Sequence, residues 1–301
     1  MSKVMTMKEA IARLVRDGDV IVMEGFTHLI PFAAGHEIIR QGKKDLTLCR
    51  LTPDLIYDQL IAAGCARKMV FSWAGNPGVG PLHAFRRAVE KGRPRPLEIE
   101  EYTHFGMVLR LMAGASNLPF LPTRNYPGTD LTKVNPAFRK VKSPYTGEEL
   151  WCVPALRPDV TVVHAQRADG DGNTQIWGLY GVQKEAAFAS RKVIVTVEEI
   201  VDPAVIRSDP NRTVIPGTIV SAVVHEPFGA HPSFVQGVYD RDNDFYVQWD
   251  PISRDEGRLK AYLDEWVHGL PGRGAYIEKM GKRCEDLRAD RQMCAPVNYG
   301  F

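Results

Sequence analysis

Residues that could do chemistry follow the apolar runs of this chain in four segments. The first is Glu24-Gly25-Phe26-Thr27, directly after the apolar run 20–23. Glycine permits a tight turn in which the backbone approaches a ligand closely. A plain turn between a strand and a helix is an equally good interpretation of these residues.

A glycine-rich loop over residues 73–81 is the second segment, and it contains Asn76, Gly78 and Val79. Its exposed N–H groups could bind a carbonyl oxygen, a carboxylate or a phosphate. The loop has neither the Gly-Lys-Ser/Thr of a P-loop nor the spacing of a dinucleotide-binding fingerprint, so nucleotide binding is not indicated. Such loops are common and do not define an activity by themselves.

Carboxylates cluster in the third segment, 98–104, which contains Glu98, Glu100, Glu101 and Tyr102. Alternation along a strand puts Glu98 and Glu100 on one face and Glu101 near the carboxyl end. Glu101 could there serve as a general base, a nucleophile or an orienting hydrogen-bond acceptor. A solvated sheet edge would explain the same pattern.

The fourth segment, 164–173, contains the run Asp-Gly-Asp-Gly-Asn but lacks the glutamate that a calcium loop needs at its twelfth position. We interpret it as a turn, and we expect His164 to be a hydrogen-bonded core histidine. The 5 cysteines form no CxxC pair, so no metal site is predicted. No Gly-x-Ser-x-Gly is present, so a serine hydrolase is not indicated.

The elements that must position these segments alternate along the chain. Continuous apolar strands between helices indicate an α/β fold, an open parallel sheet with helices on both faces. Segments that follow parallel strands meet at one edge of such a sheet, where ligands bind. Helices are predicted over 7–15, 31–40, 55–63, 81–90, 107–115, 183–189 and within 255–282, and strands over 20–23, 46–48, 69–71, 97–102, 160–163 and 193–197.

We predict a single domain over 1–301. Its first α/β half covers 1–122, and its second half, with C-terminal helices, covers 151–301. The segment 123–150 between them is rich in Pro, Asn, Thr, Gly and Lys. It is long for a plain connection, which favours a flap with a role at an interface or at the active site.

Composition excludes several classes of protein. The chain has 301 residues with 44% hydrophobic residues, enough to bury a sizeable core. The formal net charge of +2 does not favour nucleic acid or a membrane surface as a partner. No stretch approaches the roughly 20 apolar residues of a membrane span. Sparse cysteines and the absence of a signal-peptide pattern predict a cytoplasmic location.

Several segments, in order along nearly the whole chain, closely resemble the α subunit of class I CoA-transferases of the glutaconate type. The resemblance implies the CoA-transferase-like fold and, as partner, a CoA-transferase β subunit in an α2β2 or larger assembly. It also implies an acyl-CoA thioester as substrate and no bound cofactor. The matching segments are 1–12, 25–27, 76–79, 118–122, 163–166, 176–178, 197–200 and 229–233.

In that family a glutamate on the β chain attacks the acyl-CoA to form a mixed anhydride. CoA then attacks the anhydride, and the resulting enzyme thioester passes CoA to an acceptor acid. The resemblance thus implies that this chain lines the acyl site, for a dicarboxylic or 3-oxo acid, and lacks the main nucleophile. Glu101 is our candidate catalytic residue on this chain, and the candidate substrate-binding residues are Glu24, Gly25, Phe26, Thr27, Asn76, Gly78, Val79 and Tyr102.

This sequence departs from the family pattern at three positions. Glu24 stands where the resemblance has glycine, Pro77 where it has a small hydroxyl residue, and Glu101 where it has a shorter acidic residue. These changes leave an alternative open: a CoA-thioester hydrolase or a carbon–carbon lyase, ring-opening or decarboxylating, with Glu101 or Glu24 as general base. A non-catalytic regulator is less favoured, because no DNA-binding module is visible and the net charge is small.

Overall fold

The computed structural model describes residues 3–289. Both ends of the predicted domain, 1–2 and 290–301, lie outside the described residues. The strands are β1 (Val20–Glu24), β2 (Leu46–Cys49), β3 (Ala66–Phe71), β4 (Glu98–Glu101), β5 (Phe120–Thr123), β6 (Arg139–Lys142), β7 (Glu149–Pro154), β8 (Val160–Asp169), β9 (Thr174–Gln175), β10 (Lys192–Val201), β11 (Thr213–Ile215) and β12 (Ala222–His225).

Helices connect these strands. Some begin at capping side chains: Thr6 accepts a hydrogen bond from the backbone of Glu9 at 3.2 Å, and Thr103 accepts one from Gly106 at 3.0 Å. The helices are α1 (Met7–Leu14), α2 (Phe32–Arg40), α3 (Leu55–Ala62), α4 (His83–Lys91), α5 (His104–Ala115), α6 (Leu131–Val134), α7 (Gln183–Ala189), α8 (Pro203–Ser208), α9 (Asn243–Arg254), α10 (Glu256–Leu263), α11 (Arg273–Met280) and α12 (Lys282–Asp286).

The central sheet is parallel, with the order β12, β10, β8, β1, β2, β3, β4. The short strands β9 and β11 extend it with antiparallel pairs. Alternate residues of each strand face opposite layers. In β1, Ile21 and Met23 pack with α1 to α4, α9 and α10, while Val22 packs with α5 and α7. Helices therefore cover both faces, and the predicted fold class is confirmed.

The segment predicted as a flap contributes to a small sheet of its own. In this sheet β7 lies between β5 and β6, and both pairs are antiparallel. Phe138 packs against Tyr102 and Tyr126 on the side of α5, with ring centroids 5.2 Å and 4.3 Å away. The segment is thus anchored to the central domain through aromatic contacts.

The chain reverses its direction of progress across the sheet at β1. It first builds β2, β3 and β4 on one side of β1, and then returns to place β8 on the other side. The connections after β1 and β8 therefore diverge and leave a crevice at the carboxyl ends of the strands, the usual ligand position in open α/β sheets. Among the described residues, no helix is both long and apolar enough to cross a membrane.

Candidate functional site

The turn after β1 lies at the crevice, and its backbone is tightly packed. A Cβ atom on Gly25 would lie 2.6 Å from the carbonyl oxygen of His28, so only glycine fits there. Thr27 adopts the left-handed conformation at φ 54°, which is unfavourable for a residue with a side chain. Ser233 stabilises it by donating a hydrogen bond to its carbonyl oxygen at 2.7 Å. Gly25 is buried, whereas Phe26 and Thr27 remain partly exposed at the mouth.

Glu24 lies beneath this turn rather than in the open crevice. Its side chain is 1% exposed, and burial raises its pKa to about 7. Arg50 and hydrogen bonds from the backbone of Val182 and Gly25 oppose that shift. A Cβ atom on Gly181 would lie 2.7 Å from Oε1 of Glu24, so the loop after β9 covers the carboxyl group. Its other oxygen, Oε2, has no hydrogen-bond partner among the described residues.

A buried ion pair supports the turn from below. The guanidinium of Arg50 donates to Asp54 at 2.9 Å, and both side chains are 1% exposed. Arg50 also donates to the carbonyl oxygen of Gly25. Sequence reasoning missed Arg50, although its position directly after β2 could have drawn attention to it. The pair fixes the backbone at the position that a ligand would approach.

The glycine-rich loop after β3 is closed by hydrogen bonds around Asn76. Its backbone N–H donates to the carbonyl oxygen of Gly80 at 2.8 Å, and its amide donates to the carbonyl oxygen of Tyr246 at 2.7 Å. Asn76 is therefore a buried anchor, 1% exposed. Gly78 and Val79 are exposed, and within the described chain the N–H of Gly78 has no acceptor. That N–H is available to a ligand oxygen.

The carboxylate edge at β4 has a different environment from the crevice. Glu101 is exposed beside a depression of about 240 Å³ that Lys68 and Asn135 also line. Tyr102 is buried and donates to Glu100 at 2.6 Å. Three strand spacings separate β4 from β1, roughly 14 Å. The structure therefore does not bring Glu101 and Tyr102 together with Glu24, and their predicted roles stay predictions.

His104, at the start of α5, reaches closer to the mouth. Its ring centroid lies 6.1 Å from that of Phe26, in an edge-to-face arrangement. Its Nδ1 lies 2.9 Å from Oγ of Ser72, and partial burial lowers its pKa. His104 was not among the predicted site residues, although it belongs to the third segment of the sequence. Its contact with Phe26 could not be foreseen without the tertiary fold.

The fourth segment forms a hydrogen-bonded interior. His164 is fully buried, and its Nε2 and Nδ1 lie 2.7 Å from Glu198 and 2.8 Å from Thr196. Tyr239 adds a further hydrogen bond to Glu198 at 2.9 Å. The interpretation of His164 as a satisfied core histidine is confirmed. The run after it forms the turn between β8 and β9, and the described residues contain no group of three potential metal ligands.

The candidate site is thus the crevice at β1. Its mouth has Phe26, Thr27 and His104. Gly78 and Val79 lie on the loop after β3, which is two strands from β1 in the sheet. Gly25 shapes the turn, while Glu24 and Asn76 are buried beneath the surface. These groups can hold an acyl chain against an aromatic ring and donate a hydrogen bond to a carbonyl or carboxylate oxygen.

Comparison with known proteins gives consistent results. Residues 4–226 match the family model described as Coenzyme A transferase. The chain is 57% identical to one subunit of the 3-oxoadipate CoA-transferase of Pseudomonas knackmussii, over 89% of this chain and 95% of that protein. It is 30% identical to a cholesterol ring-cleaving hydrolase subunit of Rhodococcus jostii, over 89% of this chain and 92% of that protein. The crystal structure of glutaconate coenzyme A-transferase from Acidaminococcus fermentans superposes with a TM-score of 0.92 at 36% identity, covering 97% of both chains.

Proposed function

This chain belongs to the coenzyme A transferase family, and on that premise we propose that its enzyme transfers CoA to 3-oxoadipate or a close 3-oxo dicarboxylic acid. The chain is the α subunit of a two-subunit CoA-transferase, as the resemblance predicted. A CoA thioester is accordingly a substrate of the enzyme, and the partner of this chain is a β subunit. The hydrolase or lyase alternative is less supported, because the hydrolase relative is 30% identical and the transferase relative 57%.

The observation that carries the choice of acceptor is the 57% identity to the 3-oxoadipate enzyme. In the same sequence comparison, the glutaconate CoA-transferase subunit is more distant, at 38% identity. The crevice at β1 supports the same choice. The ring of Phe26 and the side chain of Val79 can contact methylene groups, and the N–H of Gly78 can bind a carbonyl or carboxylate oxygen.

The family mechanism supports separate roles for the two chains. In the family mechanism a glutamate of the β chain attacks the acyl carbonyl carbon and CoA leaves as the thiolate. The thiolate then attacks the anhydride and releases the first acid. The acceptor carboxylate attacks the resulting glutamyl thioester and expels CoA as the thiolate. That thiolate attacks the acceptor's acyl carbonyl in the new anhydride and releases the glutamate carboxylate. We propose that this chain holds the acyl group beside Phe26 and Gly78 during these steps. Holding the acyl group in position and orientation for the attacking group lowers the activation barrier.

The test is a comparison of acceptors with the intact complex. The chain is co-expressed with its β subunit, and CoA transfer to 3-oxoadipate, adipate and glutaconate is measured. We expect kcat/KM for 3-oxoadipate to exceed that for adipate about 5- to 150-fold, since a polar group left without its partner costs about 1 to 3 kcal/mol. Equal use of adipate, or a preference for glutaconate, would contradict the proposed acceptor. Release of free CoA without a new thioester would instead favour the hydrolase.

We also propose an α2β2 or larger assembly in the cytoplasm. Four cysteines in the described part of the chain, Cys49, Cys65, Cys152 and Cys284, are buried and unpaired. Burial raises the pKa of the Cys49 and Cys65 thiols to about 12. Unreactive free thiols are compatible with a reducing compartment. Light scattering of the purified complex gives the stoichiometry.

A further inference from the structure

The exposed side of α5 is apolar. Phe105 and Met112, seven residues apart and therefore on one side of the helix, are 54% and 41% exposed. Val108 lies between them and is partly exposed. Arg110, the one Lys, Arg, Asp or Glu residue of α5, is instead buried against Glu100 at 2.8 Å. A helix that is apolar on all sides is normally covered on all sides.

The neighbouring helix α7 carries a further exposed apolar side chain. α7 packs against α5, where a Cβ atom on Gly114 would lie 2.9 Å from that of Ala189, and Phe188, next to Ala189 in the chain, is 41% exposed. Lys184 and Glu185 of α7 lie beside it and are wholly or partly exposed. An apolar centre with a polar rim is the usual composition of a protein interface. We call this surface, made of Phe105, Val108, Met112 and Phe188, the α5 face.

Helix α4, in the helical layer on the opposite face of the sheet, is a solvent-exposed helix with which α5 can be compared. α4 also exposes one large apolar side chain, Val89, at 40%. That side chain is close in sequence to Arg86 and Glu90, which form an exposed ion pair at 3.0 Å. An isolated apolar residue among charged ones is normal for a protein surface. The contrast between the two helices marks the α5 face as a surface that another molecule covers.

We infer that the α5 face is the binding surface for the enzyme's β subunit, an inference that rests on the proposed function. The face begins at the mouth of the crevice, because α5 starts with His104 and the ring of His104 lies 6.1 Å from that of Phe26. A protein bound along α5 can therefore extend over the turn after β1. In the proposed mechanism the glutamate of the β subunit reaches the acyl group at that position. A second copy of this chain would not supply that nucleophile.

The test uses the full chain, co-expressed with the β subunit, and two charge substitutions in the α5 face, Met112→Asp and Phe188→Asp. Val89→Asp on α4 is the matched control. We expect each α5-face variant to raise the dissociation constant for the β subunit at least tenfold and to lose CoA transfer in proportion. The control variant retains wild-type binding. Hydrogen exchange on the wild-type complex provides a second measurement that does not depend on the folding of a variant. We expect exchange at residues 104–115 to be slower in the complex than in the free chain.

Two results would overturn the inference. One is unchanged exchange over 104–115 together with protection of other helices. The other is a self-associated chain that Met112→Asp converts to a monomer while it still binds the β subunit. If hydrogen exchange in α5 is slowed in the wild-type complex but CoA is transferred to no tested acid, the inference about the interface stands. That result would contradict the proposed function instead. The two failures are thus distinguishable.

Discussion

The hydroxyl oxygen of Ser72 lies 2.9 Å from Nδ1 of His104, and this contact determines which ring nitrogen carries the proton. Oγ of Ser72 also lies 2.6 Å from the carbonyl oxygen of Leu51, which can only accept. The single hydroxyl proton is therefore donated to Leu51. Nδ1 of His104 must then donate to Ser72, so the neutral ring has a free lone pair on Nε2. A hydrogen-bond acceptor thus lies beside Phe26 at the mouth of the crevice.

This assignment predicts the tautomer of His104. In nitrogen NMR spectra of the complex at about pH 7.5, we expect protonated Nδ1 and unprotonated Nε2, because partial burial lowers the pKa of His104 below its ordinary value. Ser72→Ala removes the acceptor and should allow the other tautomer, while Ser72→Thr keeps the hydroxyl and should keep the wild-type spectrum. Protonated Nε2 in the wild-type enzyme would contradict the assignment.

Glu24 should make stability depend on pH. Its pKa is raised from 4.5 to about 7 on folding, so the folded state retains a proton that the unfolded state loses. The contribution of Glu24 to the free energy of unfolding is therefore fully present at pH values below about 4.5 and is lost as the pH rises through about 7. As the pH rises from about 5 to about 8, the unfolding free energy of Glu24→Gln should increase by about 2 to 3 kcal/mol relative to that of wild type.

Denaturant unfolding of both proteins at several pH values measures that difference. Glu101→Gln is the matched control, because it makes the same substitution at an exposed carboxylate. A difference for Glu24→Gln that stays constant over the same pH range would show that Glu24 is ionised in the folded protein throughout.

The anchor at Asn76 should matter for both stability and turnover. Asn76→Ala removes the buried hydrogen bond to Tyr246 and should cost about 1 to 2 kcal/mol. The loosened loop should also lower kcat/KM, because Gly78 and Val79 are no longer held in place. Val79→Ala, at an exposed side chain, should change stability by less than about 0.5 kcal/mol. Equal stability of the two variants would contradict an anchoring role.

Glu101 offers a test between transferase and hydrolase chemistry. Since its carboxylate lies at the sheet edge, roughly 14 Å from β1 by strand spacing, Glu101→Gln should keep transfer activity within about threefold of wild type. The measurement is kcat for CoA transfer by the variant complex, with wild type prepared in parallel. A loss of about a hundredfold or more, as removal of a general base produces, would restore Glu101 as the catalytic residue.

Local patterns predicted most helices and strands, but the ends of some elements depended on features that apolar periodicity does not contain. Helix α7 begins and ends where predicted, at 183 and 189. Helix α5 begins three residues before the predicted 107, because Thr103 caps it. Strand β8 continues from the apolar run 160–163 to Asp169, because its polar second half pairs with β9 and β10.

The candidate site could be predicted only in part, because its geometry depends on contacts between distant segments. Gly25, Phe26, Gly78 and Val79 follow the ends of β1 and β3, so their place at the carboxyl edge of the sheet could be predicted from the sequence. The burial of Glu24 could not, because the residue that covers it, Gly181, lies more than 150 positions away in the chain.

We propose that this chain holds the acyl group while the β subunit carries the nucleophile. The most direct measurement is mass spectrometry of both chains after the complex has reacted with 3-oxoadipyl-CoA in the absence of an acceptor acid. We expect a CoA adduct on a glutamate of the β subunit and none on this chain. An adduct on this chain, or turnover by this chain without its partner, would contradict it.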